Sequence, residues 1–304
     1  MRRQIVQLLS SIVLSFALAS AVLGQQQADA TFDASVAKPA YTATHPKVLF
    51  DEAHFNFHTS TGRYKPFATL ITNDGYRVTA NKQKFSSQTL NGFDVLVIAN
   101  AGASQPENAD QSKPAFTDEE CDAVREWVRS GGALLLIADH APAGAAAAIL
   151  ASRFDVDMSK GFTGDPVNYE RVMLDSSWIR YSREQKNLAD HPITRGRDAS
   201  ERVNSVLTFT GQSLKGPKEA TPLLVLSSSA YDVFDIDSPA KARITPAAGR
   251  SQALALPFGK GRVVVTGEAA MLTAQNQNFG LNYPGTDDRQ FVLNIMHWLT
   301  RLLS

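Results

Sequence analysis

From Lys47 onward the chain alternates short apolar runs with stretches whose apolar residues recur every three or four positions. The runs suit buried strands, and the stretches suit helices with one face on a core. This alternation predicts βα units around a mostly parallel sheet. Strands are expected at Lys47–Phe50, Tyr76–Ala80, Val95–Ala99 and Ala133–Ala138, then at Val206–Thr210, Leu223–Leu226, Ala253–Leu256 and Arg262–Thr266. A helix from Pro66 to Asn73 carries proline in its first turn and is stopped by Gly75. The next is the best signalled. Thr117 and Glu120 form a capping box, Asp118 and Glu119 suit the positive end of the helix dipole, and Gly131-Gly132 ends it. An alanine-rich helix, Ala145–Arg153, follows the central strand, and Phe291, Ile295, Trp298 and Leu299 stripe a last one.

Two regions break the pattern. Gln25–Thr44 is polar, alanine-rich and without periodicity, which predicts a linker. Asp155–Lys218 is irregular and rich in turn clusters, and is expected to be an insertion over one edge of the sheet. The remainder, 45–304, reads as a single domain.

The N-terminus changes what counts as structure. Arg2 and Arg3 precede an apolar run from Ile5 to about Leu23, the pattern of a secretory signal peptide. Removal near Gly24, or as late as Ala30, would leave about 275 residues, ample for one core. An uncleaved anchor is the alternative. The paired arginines also fit a twin-arginine signal, so the export route stays open. No cysteine lies in the leader, which excludes a lipoprotein anchor. A periplasmic or extracellular location is expected.

The 30 basic residues balance the 30 acidic ones, and no long single-sign run occurs. Nothing there predicts a nucleic-acid partner, or a membrane partner once the leader is gone. The one cysteine, Cys121, excludes an intramolecular disulfide and sits at an apolar helix position.

In open parallel sheets, ligands bind beyond the carboxyl ends of the strands. Those ends carry Asp51, Glu52, His54, Asn56 and His58 after the first strand, and Asn100, Ala101 and Gly102 after the third. Asp139 and His140 follow the central strand, and Gly267 and Glu268 a late one. Asp139, His140 and Glu268 are the catalytic candidates, and the residues after the first and third strands the ligand-binding ones. His54 and His58 would share a face if their loop were helical, and with Asp139 they make a candidate divalent-metal set, against ordinary loop hydrogen bonding. Asp139 also reads as a cap of the following helix. Backbone N–H groups at Asn100–Gly102 could face an anion or oxyanion.

Several blocks resemble the class I glutamine amidotransferase-like superfamily, and within it the DUF4350-type branch of exported proteins. They are Lys47–His54, Tyr64–Phe67, Trp127–His140, Gly261–Glu268 and Phe291–Asn294. The resemblance spans most of the chain from Lys47 to Leu303, and Asp155–Lys218 is its least covered part. It implies a flavodoxin-like three-layer sandwich with an edge insertion. It also implies a nucleophilic cysteine at the elbow after the central strand, where this chain has Asp139-His140-Ala141-Pro142. Glu268 matches the family's catalytic glutamate loosely, no histidine lies beside it, and Cys121 falls on the preceding helix. Thiolate chemistry needs a thiol next to a base, so amidotransferase activity is not expected. His191–Thr194 resembles a segment of sugar-linked members and also reads as a plain turn opener.

The leading expectation is therefore an exported domain that binds a small polar ligand, a carbohydrate or cell-envelope fragment, at the strand-end cleft. A hydrolase using the same carboxylates and imidazoles, metal-dependent or not, is the alternative. A protein-binding envelope scaffold built on the insertion is the third reading. Oligomeric state is left open.

Overall fold

The computed structural model describes residues 27–103, 113–173, 175–236, 238, 240–276 and 278–304. The leader up to Leu23 lies outside the described residues.

The first half follows the predicted βα alternation. β1 (Lys47–Asp51), α1 (Lys65–Asn73), β2 (Arg77–Asn81), a single helical turn α2 (Ser87–Leu90) and β3 (Val95–Ala99) come first. α3 (Asp118–Arg129), β4 (Ala133–Ile137) and α4 (Ala143–Ala151) complete it. Both sides of the Thr117–Glu120 capping box are made. The second half is mostly strand: β5 (Asp157–Met158), β6 (Phe162–Gly164), β7 (Trp178–Ser182), the turn α5 (Pro192–Arg195), β8 (Ser205–Phe209), β9 (Leu214–Lys215) and β10 (Thr221–Val225). Then come β11 (Tyr231–Phe234), β12 (Arg243–Pro246), β13 (Ser251–Phe258), β14 (Gly261–Thr266), the short pair β15 (Ala274–Gln275) and β16 (Phe279–Gly280), and α6 (Asp288–Leu299).

The main sheet runs β2-β1-β3-β4-β14-β13-β9-β5, with β10 also on β13. Its first five strands are parallel, and β13 turns antiparallel on β14. The parallel part has the 2-1-3-4-5 order of doubly wound flavodoxin-like sheets. β3 and β4 are buried along their whole length, as expected of strands covered on both faces. One face packs α1, α6 and the β7–β8 pair through Phe67, Leu70, Tyr181, Phe209, Phe291 and Ile295. The other packs α3 and α4 through Cys121, Val124, Val128, Leu150 and Ala151. The fold is thus a three-layer, mostly parallel α/β sandwich.

The stretch 27–44 does not behave as a free linker. Asp29 N–H bonds to Ala274 C=O, and Tyr41 N–H bonds to Asp74 C=O. The Tyr41 hydroxyl lies 2.6 Å from that of Thr300. Phe32, Val36 and Tyr41 pack on the core. Their irregular spacing has no helical or strand period, so the sequence pattern conceals an anchored segment. The segment 155–218 supplies β5 and β9 at the sheet edge and β7–β8 over one face. Its β6 joins β11 and β12 in a separate three-stranded sheet. The β11–β12 pair is absent from the sequence-based expectation because Arg243–Pro246 is exposed or half-buried throughout and forms no apolar run.

Candidate functional site

The strand ends divide into two regions of different chemistry. At β1 and β3, where the strand order reverses, the carboxylates of Asp51, Glu52 and Glu120 are all paired. Asp51 is fully buried. Its carboxylate accepts from His54 Nδ1 at 3.0 Å, Asn56 Nδ2 at 2.9 Å and Asn81 Nδ2 at 3.4 Å. His54 Nε2 reaches Glu120 Oε1 at 2.9 Å. Glu120 meanwhile accepts the N–H groups of Phe85 and of its own N-cap, Thr117. Burial disfavours the His54 imidazolium, but hydrogen bonds and charge from Asp51 and then Glu120 outweigh it and raise the pKa. Glu52 is likewise spoken for, by Ser60 N–H at 2.8 Å and by Lys82 Nζ at 2.6 Å.

The loop after β1 is irregular, as its Phe55-Asn56-Phe57 run suits, with Phe55 at φ 44°. His54 turns to Phe85 and Phe116, with ring centroids 4.7 Å away on the α3–α4 side. His58 instead stacks at 4.7 Å on Tyr64, a residue of the opposite layer. The proposed metal set of His54, His58 and Asp139 is therefore not assembled, and both His54 nitrogens are already engaged. Among the described residues no group of three or more His, Cys, Asp or Glu side chains could hold a metal ion. After β3, two of the three N–H groups in question are already used: Asn100 N–H bonds to Ile137 C=O and Gly102 N–H to His54 C=O. Glu52, His54, Asn56 and Gly102 all make bonds within this loop and to its neighbours.

The second region lies at β4 and β14 and is not neutralised in this way. Asp139 follows β4, and its side chain is one-fifth exposed. It caps its own neighbour, since Oδ1 accepts His140 N–H at 2.9 Å. No side-chain cap of α4 is present, so the capping reading of Asp139 does not hold. Burial pushes the Asp139 carboxyl up to about 7, against hydrogen bonds from His140 N–H and Asn100. Glu268, fully buried after β14, accepts Ala270 N–H at 2.6 Å and Met271 N–H at 2.8 Å. Burial, then the charge of Asp139, raises its pKa well above the usual carboxylate range. The charge of Asp139 thus disfavours ionisation of Glu268, which burial already opposes.

Neutral groups surround the pair. His140 stacks on Phe162 with centroids 4.0 Å apart, and Nδ1 lies 2.7 Å from Ala141 C=O. Burial pushes His140 down to about 4. Burial, helped by the charge of Arg63, pushes His58 down to about 3. Among the described residues its Nδ1 has no hydrogen-bond partner. The Tyr64 hydroxyl donates to Ala269 C=O at 2.5 Å, and burial with the charges of Glu268 and Asp139 keeps it protonated.

Sequence reasoning placed Asp139, His140, Glu268, His58 and Asn100 near this region but missed Tyr64, Phe162 and Gln212. Gln212 donates through Nε2 to the carbonyls of Ala138 and Asp139 at 2.9 and 3.0 Å. No local signal marks it, because its role depends on a loop that crosses the sheet end. His191, by contrast, is turn chemistry. It caps α5, its Nδ1 accepting Ile193 N–H at 3.2 Å.

No protein-family profile and no curated protein matches the chain. Among solved structures, a ThuA-like protein from Bacteroides uniformis ATCC 8492 is similar at 14% identity and a TM-score of 0.46, over 86% of this chain and 94% of that one. A GMP synthase protein from Thermoplasma acidophilum aligns at 11% identity and a TM-score of 0.44, over 84% and 97%. The mmIFT52 N-terminal domain aligns at 16% identity and a TM-score of 0.59, over 83% of this chain and 97% of that domain. At these identities the likeness concerns the fold alone, and the fold this chain shares is that of the mmIFT52 N-terminal domain.

Proposed function

We propose that this chain is an exported, glutamine amidotransferase-like domain without thiol chemistry, which binds a small polar ligand at the ends of β4 and β14. The observation that carries the reading is the Asp139–Glu268 pair, two carboxyls in one buried site with Asp139 open to solvent at its edge. A pair holding one proton offers a donor beside several acceptors, which suits a neutral, hydroxyl- or amide-bearing ligand. A carbohydrate or cell-envelope fragment fits that chemistry and the signal-like leader. The chain's one thiol supports the exclusion of amidotransfer. Cys121 is buried on α3 in the opposite layer from Tyr64, and burial pushes it up to about 12.

Titration calorimetry of the mature protein against neutral sugars and peptidoglycan fragments tests the reading. Binding that weakens at least tenfold in Asp139→Asn supports it. Binding unchanged in that variant, or none across the panel, removes it.

A hydrolase is the second reading, favoured by an Asp139 carboxyl pushed to about 7, near the pH at which a general acid or base works best. It predicts turnover of an ester, amide or glycoside with a bell-shaped pH profile that collapses in Asp139→Asn.

A further inference from the structure

The loop from Thr210 to Gln212 crosses the sheet end and touches both turns that carry the acids. Gln212 N–H bonds to Gly267 C=O at 2.7 Å, one residue before Glu268. Gly211 is pressed against the same turn. A Cβ there would lie 2.4 Å from Gly267 O and 2.8 Å from Glu268 Cβ, so only glycine fits. On the other side, the fully buried Gln212 side chain grips the elbow through the carbonyls of Ala138 and Asp139. Its Oε1 accepts Lys160 N–H at 2.8 Å. Two residues on from Lys160 stands Phe162, the ring on which His140 stacks. α4 leaves room for this amide by placing Gly144 against it, where a Cβ would come within 2.3 Å of Nε2.

Thr210 opens the loop at φ 76°, a conformation β-branched residues rarely adopt. Its N–H bond to Ser177 C=O at 3.0 Å and its hydroxyl contact with Ser177 Oγ at 2.8 Å hold it there. Strained backbone of this kind persists where the surroundings over-determine it, and it clusters at functional sites.

We propose that Gln212 is the positioning residue of the site: its backbone ties the Glu268 turn and its side-chain amide ties the Asp139 elbow, so one residue sets how closely the two carboxyls approach. No other side chain can substitute. The role needs two N–H donors and one acceptor at this length. Glutamate lacks the donors, asparagine the reach and methionine both kinds of polar atom. The inference rests on the reading of Asp139 and Glu268 as a proton-sharing pair. Burial, His140 N–H and Asn100 act on Asp139, whose charge in turn acts on Glu268 and Tyr64, with His58 and Arg63 beyond the tyrosine.

The test is carbon-13 NMR titration of the Asp139 carboxyl in the ligand-free mature protein, assigned through Asp139→Asn. Two variants loosen the amide differently. Gln212→Met keeps the length and removes the polar atoms, whereas Gly144→Ala keeps the glutamine and pushes its amide aside. Tyr41→Phe, which deletes the 2.6 Å hydroxyl contact with Thr300 away from this loop, is the control for general loosening. The expected result is a midpoint lower by about one pH unit in both amide variants, as the carboxyls separate and hydrate, with the control unchanged. Folded amide variants that titrate like wild type, or a control that shifts equally, overturn the role of Gln212 and leave the paired acids standing. A wild-type Asp139 that titrates in the ordinary carboxylate range overturns the paired-acid reading itself, and this inference with it.

Discussion

His54 is bonded to a carboxylate on each side of its ring. Nδ1 lies 3.0 Å from both oxygens of Asp51, and Nε2 lies 2.9 Å from Oε1 of Glu120, a residue 66 positions away. The imidazole therefore joins the end of β1 to the first turn of α3, beside the point at which the strand order reverses.

His54→Ala leaves two buried carboxylates without their shared partner. Breaking a buried ion pair in this way costs about 3 kcal/mol or more, read as a lower urea midpoint. The loss also has a pH signature. Folded His54 holds its proton more tightly than the unfolded imidazole. Its contribution is complete below about pH 6.5, the unfolded value, and fades as pH rises through the higher folded one. His54→Ala abolishes that fall. An equal fall in the variant would show that another group causes it.

Glu120 carries two duties, so its removal should cost more than loss of the cap alone. Thr117→Ala is expected to cost about 1 kcal/mol, the usual worth of an N-cap. Glu120→Ala should exceed that clearly, since His54 Nε2 and Phe85 N–H lose their acceptor too. Equal losses in chemical denaturation would mean that the His54 bond contributes nothing.

The acid pair also loses stability as pH rises, but over a lower range. Asp139 is pushed up to about 7 in the folded chain, from about 4 when unfolded. Its ionisation thus opposes folding, and stability should decline from about pH 4 to about pH 7. Asp139→Asn removes that decline and should stabilise the protein above pH 7 by up to about 4 kcal/mol, about three pH units at about 1.4 kcal/mol each. Urea midpoints at pH 5 and pH 8 decide it, and an Asn variant weaker than wild type at pH 8 contradicts it.

The segment before β1 is structural. Tyr41→Phe deletes the 2.6 Å hydroxyl contact with Thr300 on the far side of the fold. A loss of about 1 kcal/mol is expected. A thermal unfolding curve unchanged from wild type would return residues 27–44 to the status of a linker.

The strands and the capped helix were legible because their signals are local. Val95–Ala99 is apolar throughout and is buried throughout, and Thr117 with Glu120 closes the box that its spacing predicts. The candidate site was legible only in part. Position after a strand identified Asp51, Asp139 and Glu268 alike, yet could not separate a saturated carboxylate from an exposed one. Asp51 is neutralised by His54, Asn56 and Asn81, and two of those neighbours also appeared as candidates. Tyr64, Phe162 and Gln212 were invisible because each acts on a distant part of the chain. Tyr64 meets Ala269, Phe162 meets His140 and Gln212 meets Asp139 only in the folded protein.

What the sequence determined by itself is the α/β class, the order of the parallel strands' βα units, and the lack of a thiol at the elbow, since periodicity, caps and residue identity are properties of neighbours along the chain. Only the tertiary structure decided that His54 turns to one face of the sheet and His58 to the other. It also decided that burial raises the Asp139 carboxyl and that the Asp139 charge reaches Glu268. Burial and charge proximity govern those outcomes, and both arise from segments far apart in sequence that meet only when the sheet is assembled.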